Sequence, residues 1–387
     1  GVLAAATASD FELHLLDPHT YPDARCLDGS PGGFYLRPGV GDGRSKFKIH
    51  ICGGGWCYSE QSCGYRAKTN LGSSTFWPPV ANTNQSGFPG QWNLGMYGLL
   101  GNDTSNSFRD WTAVFIMYCD GSSLTSYRRE PLGGLYYRGR PILDGVLNEL
   151  IHTHGMAVAT DVILSGTSAG GMATYAHAEL VKSLLPKSTR MVAVPDAGFW
   201  LDAVDLKGQR MMRDNTQMGV QLWNTSTHGP GNEECMTAHA ATNQTWKCYL
   251  AQYVMPYITP PVMVINSLYD PAQYGAVLGL PSRNLSAADA TALKEAEAYR
   301  KLFQGSILAA LTPKDGAFLT ACNQHEESCR QPDWEGITVG GISMMAAITQ
   351  WYDGGAGPHT HVDCGPWAAH PLSCNPTCVA LPMHGAC

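Results

Sequence analysis

The chain has 387 residues, of which 44% are hydrophobic, and its formal net charge is −7 at pH 7. This length allows a large core in a single domain. The acidic balance excludes the basic footprint of a protein that binds nucleic acid or an anionic membrane surface. No apolar run approaches the roughly 18 residues of a membrane span, and the chain opens without the basic start of a signal peptide.

Apolar residues along the chain alternate between strand and helix spacing. This alternation predicts an α/β fold with a mainly parallel central sheet and helices on both faces. The predicted elements, in chain order, are strands at 34–38, 46–52 and 111–119, a helix at 140–155, a strand at 162–165, a helix at 172–185, strands at 190–199 and 261–270, a helix at 287–311, a short strand and loop at 316–325, and a helix at 342–354.

We expect residues 1–387 to form one domain, because no repeat or low-complexity linker divides the chain. The segment from about 201 to 258 is helical but irregular, and we interpret it as an insertion packed over the sheet. Residues 355–387 form a tail rich in cysteine and proline.

Thirteen cysteines indicate an oxidising compartment. Several have short-loop spacings, and five Asn-x-Ser/Thr sequences offer sites for N-glycans. Together these features predict a secreted, disulfide-bonded glycoprotein. Because thirteen is odd, one thiol stays outside the intrachain pairs, and Cys52 in an apolar strand is the candidate. The short-loop spacings are Cys57/Cys63, Cys322/Cys329 and Cys374/Cys378, and the glycan sites are Asn84, Asn102, Asn224, Asn243 and Asn284.

Residues 161–171 read DVILSGTSAGG, a strand followed directly by Gly-x-Ser-x-Gly and a helix. This is the pattern of a nucleophile elbow centred on Ser168, in which glycines flank a tight turn. The elbow exposes the serine hydroxyl at the sheet edge beside a helix N-terminus. Ser168 is therefore the predicted nucleophile.

A serine nucleophile needs a base, and the base needs an acid that orients it, in the chain order Ser, acid, His. Asp196 and Asp270 both end predicted strands after Ser168, and the position of Asp270 favours it as the acid. His325 is the favoured base because it lies in a loop that Cys322 and Cys329 could hold. His361 remains its rival.

The tetrahedral intermediate also needs N–H donors, and HICGGGWC (50–57) provides a strand followed by three glycines. Ala169, the residue after the nucleophile, supplies a further N–H group. The glycines allow the backbone to approach the substrate closely.

Taken together, the motifs resemble the pectin acetylesterase/Notum family over roughly residues 25–380. They occur in the family's order: GGGWCYSEQSC (53–63), YCDGSS (118–123), GTSAGG (166–171), DAGFW (196–200), NSLYDPAQ (266–273), ACNQH (321–325) and CNPTC (374–378). The resemblance implies an α/β-hydrolase fold and a secreted serine carboxylesterase. Plant-type members deacetylate pectin, and Notum-type members remove a palmitoleoyl group from Wnt proteins.

The resemblance also implies roles for individual residues. The family's nucleophile, acid and base fall on Ser168, Asp270 and His325, which favours His325 over His361. Its oxyanion donors fall on Gly55, Trp56 and Ala169, and its first short disulfide would be Cys57–Cys63. The chain departs from the plant pattern after ACNQH, where it reads EESC, and 201–258 matches no family motif.

We therefore expect a serine esterase without cofactor or metal that removes an O-acyl group, with acetyl from pectin or a related polysaccharide as the first candidate. The main alternative is a deacylase of a lipid-acylated protein or of another small acyl ester. A binding relative without activity is a further alternative. A metal-dependent hydrolase built on His359, His361 and Asp363 is the last one.

Overall fold

The computed structural model describes residues 11–81, 98–225, 229–280, 290–328, 331–356, 359–363 and 374–378. The strands are β1 (Phe11–Leu15), β2 (Gly33–Arg37), β3 (Lys46–Ile51), β4 (Val80–Ala81), β5 (Thr112–Ile116), β6 (Asp161–Thr167), β7 (Arg190–Asp196), β8 (Met263–Ser267), β9 (Gly316–Thr320), β10 (Thr338–Val339), β11 (Ile342–Ser343) and β12 (Thr360–Val362). The helices are α1 (Glu60–Arg66), α2 (Gly139–His152), α3 (Ala169–Leu184), α4 (Met211–Trp223), α5 (Glu233–Ala240), α6 (Ala251–Val254), α7 (Pro271–Ala276), α8 (Ala290–Ala310), α9 (Gln331–Gly336) and α10 (Met344–Tyr352).

Ten strands form one sheet in the order β12-β9-β8-β7-β6-β3-β5-β2-β1-β4. Every neighbouring pair from β12 to β5 is parallel, whereas β5–β2, β2–β1 and β1–β4 are antiparallel. The predicted, mainly parallel sheet is therefore confirmed. The sequence did not predict β1, β4 or β12, which are strands of only two to five residues at or next to the edges of the sheet.

Alternate residues of the central strands face two separate cores. On one face Leu164, Ala193 and Val264 pack with α2, α3 and α8. On the other face Ile163 and Val192 pack with the helices that follow β9. Because both faces are covered, the central strands read as continuous apolar runs.

The segment 201–258 contains α4, α5 and α6 and is cross-linked by the Cys235–Cys248 disulfide. It packs against α3, the helix that follows Ser168, and against α8. Its Trp223 indole N–H donates to the carbonyl of Cys57 at 3.0 Å. The segment thus lies beside the nucleophile helix and the glycine-rich loop.

The disulfides correct part of the sequence interpretation. Cys57–Cys63 is present, as the family resemblance implies. The pairings Cys322/Cys329 and Cys374/Cys378 are wrong, because Cys322 is bonded to Cys378 across 56 residues. Spacing could not reveal this pair, since the tail returns to the sheet through β12 before Cys378. Cys26–Cys119 is a further disulfide, and Cys52 carries a thiol whose pKa burial raises to about 12.

Candidate active site

The carboxyl ends of the parallel strands lie at one edge of the sheet, and the predicted site residues follow them. Ser168 follows β6, Asp270 follows β8 and His325 follows β9, while the glycine loop 53–55 follows β3. In open α/β sheets ligands bind at this edge. Residues distant in the sequence therefore meet here.

The nucleophile elbow is a one-residue connection between β6 and α3. Ser168 has φ 56° and ψ −117°, a backbone conformation that is strained for a residue with a Cβ. The flanking glycines are required by space. A Cβ on Gly166 would lie 2.3 Å from the carbonyl oxygen of Gly170, and one on Gly170 would lie 2.0 Å from that of Ile51.

Ser168, His325 and Asp270 form a continuous hydrogen-bonded series. His325 Nε2 lies 2.8 Å from Ser168 Oγ, and His325 Nδ1 lies 2.8 and 2.9 Å from the two oxygens of Asp270. An ionised carboxylate only accepts, so the proton of the neutral ring is on Nδ1 and Nε2 accepts from the serine hydroxyl. Asp270 is 1% exposed and Ser168 4% exposed. The ring is therefore oriented to take the serine proton.

Asp270 is anchored by the helix that follows it. Its Oδ1 accepts from the backbone N–H of Ala272 at 2.8 Å and of Gln273 at 3.4 Å, as the N-cap of α7. The carboxylate thus caps a helix and orients the imidazole at once. This double use fixes its position.

The two sequence alternatives occupy other places. Asp196 Oδ2 accepts from the N–H groups of Glu327 and Ser328, both at 2.7 Å. It therefore holds the segment just after His325. His361 lies in β12 with its ring against Phe318.

The metal alternative has no support within the part of the chain that the structure describes. There no group of three or more His, Cys, Asp or Glu side chains could hold a metal ion. Asp363, one of the residues in that alternative, instead accepts from the backbone N–H of Ala321 at 2.9 Å and from the Asn375 amide. It ties the tail to the end of β9.

The glycine loop closes over the elbow. A Cβ on Gly53 would lie 3.1 Å from Ser168 Cβ, so the two segments are in contact. Gly55 has φ 65° and faces open space. Among the described residues, the N–H groups of Gly55, Trp56 and Ala169 have no acceptor. These are the groups that the family resemblance implies as oxyanion donors.

The loop is held by residues whose roles sequence analysis missed. The Tyr118 hydroxyl donates to the Gly55 carbonyl at 2.8 Å, and the Trp56 indole N–H donates to Ser123 Oγ at 2.7 Å. Ser123 Oγ in turn donates to the carbonyl of Ala169 at 2.7 Å. Both Tyr118 and Ser123 lie in the YCDGSS motif, the only signal that could have found them.

Aromatic rings form one wall of the site. Trp200 packs edge-to-face on Trp56 with ring centroids 5.1 Å apart, and it lies 5.9 Å from the His325 ring. Trp223 of α4 packs against Tyr58 at 5.8 Å. The segment 201–258 therefore packs behind this wall through Trp223, and Trp200 belongs to the DAGFW motif.

Three carboxylates act on the base. Burial alone would lower the pKa of His325, but the charge of Asp270, its hydrogen bond and the charges of Glu326 and Asp196 outweigh it and raise that pKa to about 9. Burial also raises the pKa of Asp196, which the N–H groups of Ser328 and Glu327 oppose. The site thus favours the protonated ring.

The chain is similar to a known protein family over nearly its whole length. The family model described as Pectinacetylesterase matches residues 4–379. Pectin acetylesterase 11 of Arabidopsis thaliana is 31% identical over 380 residues, which cover 92% of this chain and 90% of that protein. Palmitoleoyl-protein carboxylesterase NOTUM of Mus musculus is 26% identical over 404 residues, which cover 96% of this chain and 73% of that protein.

Among solved structures, the Wnt deacylase Notum from Drosophila superposes with a TM-score of 0.79 at 22% identity, covering 96% of this chain and 100% of that one. At this identity the likeness is evidence of the fold. The mainly parallel sheet and this likeness together show an α/β-hydrolase fold. Of the helices in the described residues, none is long and apolar enough to cross a membrane.

Proposed function

Because the chain belongs to the pectinacetylesterase family, we propose that it removes O-acetyl groups from pectin or a related polysaccharide through an acyl-enzyme on Ser168. It is a carboxylic ester hydrolase, the class to which its relatives belong. The observation that carries the proposal is the hydrogen-bonded series from Ser168 through His325 to Asp270.

In the first half of the proposed reaction, His325 Nε2 takes the proton of Ser168 as Oγ attacks the ester carbonyl carbon. The N–H groups of Gly55, Trp56 and Ala169 stabilise the resulting oxyanion. The C–O bond to the sugar then breaks, and His325 gives its proton to the leaving oxygen. Asp270 keeps the ring in the tautomer that can accept.

In the second half, water replaces the sugar alcohol. His325 takes a proton from this water as its oxygen attacks the acyl carbonyl, and a second oxyanion forms in the same place. The acyl–Oγ bond breaks, the proton returns to Ser168, and the carboxylic acid leaves. No cofactor or metal takes part in the proposal.

The substrate is proposed from the relatives, among which pectin acetylesterase 11 is the most similar of those compared above. The alternative is the deacylation of a lipid-acylated protein, as the name of the NOTUM relative states for that protein.

A series of p-nitrophenyl esters of increasing acyl length separates these substrates. Activity confined to acetyl and similarly short chains is expected, and a preference for octanoyl or longer chains would contradict the proposal. Ser168→Ala is the control and should lower kcat by several orders of magnitude while the fold survives. Labelling of Ser168 by a fluorophosphonate tests against a binding protein without activity.

The base is tested with a matched pair of variants. His325→Ala should lower kcat far more than His361→Ala, because only His325 contacts Ser168. A larger loss of kcat in His361→Ala than in His325→Ala would contradict the assignment of His325 as the base. We expect the esterase activity to be unchanged after a metal chelator is added. Loss of activity would favour the metal-dependent alternative.

We further propose secretion with N-glycans. The four disulfides of the described residues are typical of an oxidising compartment. Asn102, Asn224 and Asn243 have exposed side chains, as glycosylation requires, while Asn84 and Asn284 lie outside the described residues. A mobility shift after enzymatic deglycosylation of the protein secreted by eukaryotic cells tests this proposal.

A further inference from the structure

Glu326 places a second carboxylate beside the imidazole of His325. Its Oε1 lies 3.9 Å from His325 Nε2, the nitrogen that contacts Ser168. Asp270 lies on the opposite nitrogen, so the two carboxylates bracket the ring. A Cβ on Gly53 would lie only 2.7 Å from Glu326 Oε1, so the carboxylate also borders the glycine loop.

This position is costly for a glutamate. Glu326 has φ 65°, a left-handed conformation that residues with a side chain rarely adopt. Its side chain is 1% exposed, and burying a carboxylate is unfavourable unless charge or hydrogen bonds compensate. Strain of this kind persists where the surroundings impose it and is concentrated at functional sites.

Two ionisable groups besides Glu326 itself lie on this side of the site. His325 is one, and the other is the Cys52 thiol just after β3. Burial raises the pKa of Cys52, the charge of Glu326 raises it further, and the Arg66 guanidinium of α1 lowers it. The charges of Asp270, Glu326 and Asp196 all favour the protonated ring of His325.

We propose that Glu326 is a positioning residue of the base that stabilises the imidazolium formed when His325 takes the proton of Ser168. This inference rests on the proposed function. Glu326 forms no covalent bond: the proton moves from Ser168 Oγ to His325 Nε2 and later to the leaving oxygen, while the carboxylate stays ionised. Its charge compensates the new positive charge on the side of the ring that Asp270 does not reach.

Glu326→Gln tests the charge because the amide keeps the size of the side chain but is neutral at every pH. An opposite charge at this distance shifts a pKa by about one unit or more. We therefore expect the acid limb of kcat/KM to move down by about one pH unit. We also expect kcat on the alkaline plateau to fall up to about tenfold, since one unit corresponds to a factor of ten.

Two variants control the interpretation. Glu327→Gln removes the neighbouring buried carboxylate, which accepts from Thr320 Oγ1 at 2.6 Å, and its acid limb should stay where the wild-type limb lies. Glu326→Asp keeps the charge, and aspartate tolerates positive φ. Its shorter side chain withdraws the charge from Nε2, so a smaller downward shift is expected.

An acid limb of folded Glu326→Gln that coincides with the wild-type limb overturns the inference. If that variant does not fold, an unshifted limb in Glu326→Asp overturns it instead. NMR titration of His325 in Ser168→Ala, with and without Glu326→Gln, measures the same shift without turnover. Failure of the proposed function is seen separately, as full ester hydrolysis by Ser168→Ala.

Discussion

Asp270→Asn separates the catalytic use of this side chain from its structural use. Asn has nearly the same shape and caps helices as well as Asp does. The cap on α7 needs only an oxygen that accepts from Ala272 and Gln273, and the amide oxygen provides it. Measured above pH 9, where the ring of His325 is neutral and its ion pair with Asp270 no longer contributes, the free energy of unfolding should therefore change by less than about 1 kcal/mol.

The effect on catalysis follows from the NH₂ group, which replaces the Oδ2 oxygen of Asp270. With its oxygen held by the cap, the amide turns its NH₂ group toward His325 Nδ1, which lies 2.8 Å from Asp270 Oδ2. The capping oxygen also lies 2.9 Å from Nδ1, but it already accepts from Ala272, whereas the NH₂ group can only donate. The tautomer in which Nδ1 accepts and Nε2 carries the ring proton is therefore favoured. That N–H then points at Ser168 Oγ, and the base is lost. In serine proteases the same substitution lowers kcat about 10⁴-fold, or about 5.5 kcal/mol.

The assay is hydrolysis of p-nitrophenyl acetate at saturating substrate, together with unfolding in urea. Asp196→Asn is the matched control, because its amide oxygen can still accept from the N–H groups of Glu327 and Ser328. It should lose much less activity than Asp270→Asn. The reasoning is refuted if Asp270→Asn keeps kcat within about tenfold of wild type, or if Asp196→Asn is the more damaging variant.

Three further outcomes are expected. Activity should rise with pH through the His325 pKa, raised to about 9, because only the neutral ring can accept a proton; an acid limb of kcat/KM at the unperturbed value of about 6.5 would contradict the role of the carboxylates. Gly170→Ala should cost about 3 kcal/mol in urea unfolding, because its Cβ would lie 2.0 Å from the carbonyl oxygen of Ile51; wild-type stability would mean that the turn relaxes. Replacing Cys322 and Cys378 by alanine should cost about 4 kcal/mol, since the closed loop spans 56 residues; a loss below about 1 kcal/mol in urea unfolding would show that the reduced chain is already ordered there.

The elements with strong local patterns were predictable. Val162, Ile163 and Leu164 read as a buried strand, and the glycines around Ser168 marked the turn that follows it. Edge strands were not predictable in the same way. β12 is a three-residue strand whose pairing with β9 depends on where a distant part of the chain returns.

The site residues also divide into those that patterns in the sequence predict and those whose roles only tertiary contacts define. Order along the chain favoured Asp270 and His325, because each follows a strand whose carboxyl end must lie near the elbow. Tyr118, Ser123 and Glu326 carry no such signal, since their roles exist only once the loops meet. In the sequence, nothing distinguishes Tyr118, which donates to the carbonyl of Gly55, from other tyrosines. The same holds for Glu326, which lies beside His325.

The sequence by itself determined the strand-turn-helix at Ser168 and the order of nucleophile, acid and base, because these depend on local backbone sterics and strand polarity. Only the tertiary structure decided that Cys322 pairs with Cys378, that Asp196 holds the segment after His325, and that Glu326 faces Nε2. These contacts join segments that become adjacent only when the parallel strands align. There Asp196 accepts from the backbone after His325, and Glu326 lies beside the imidazole.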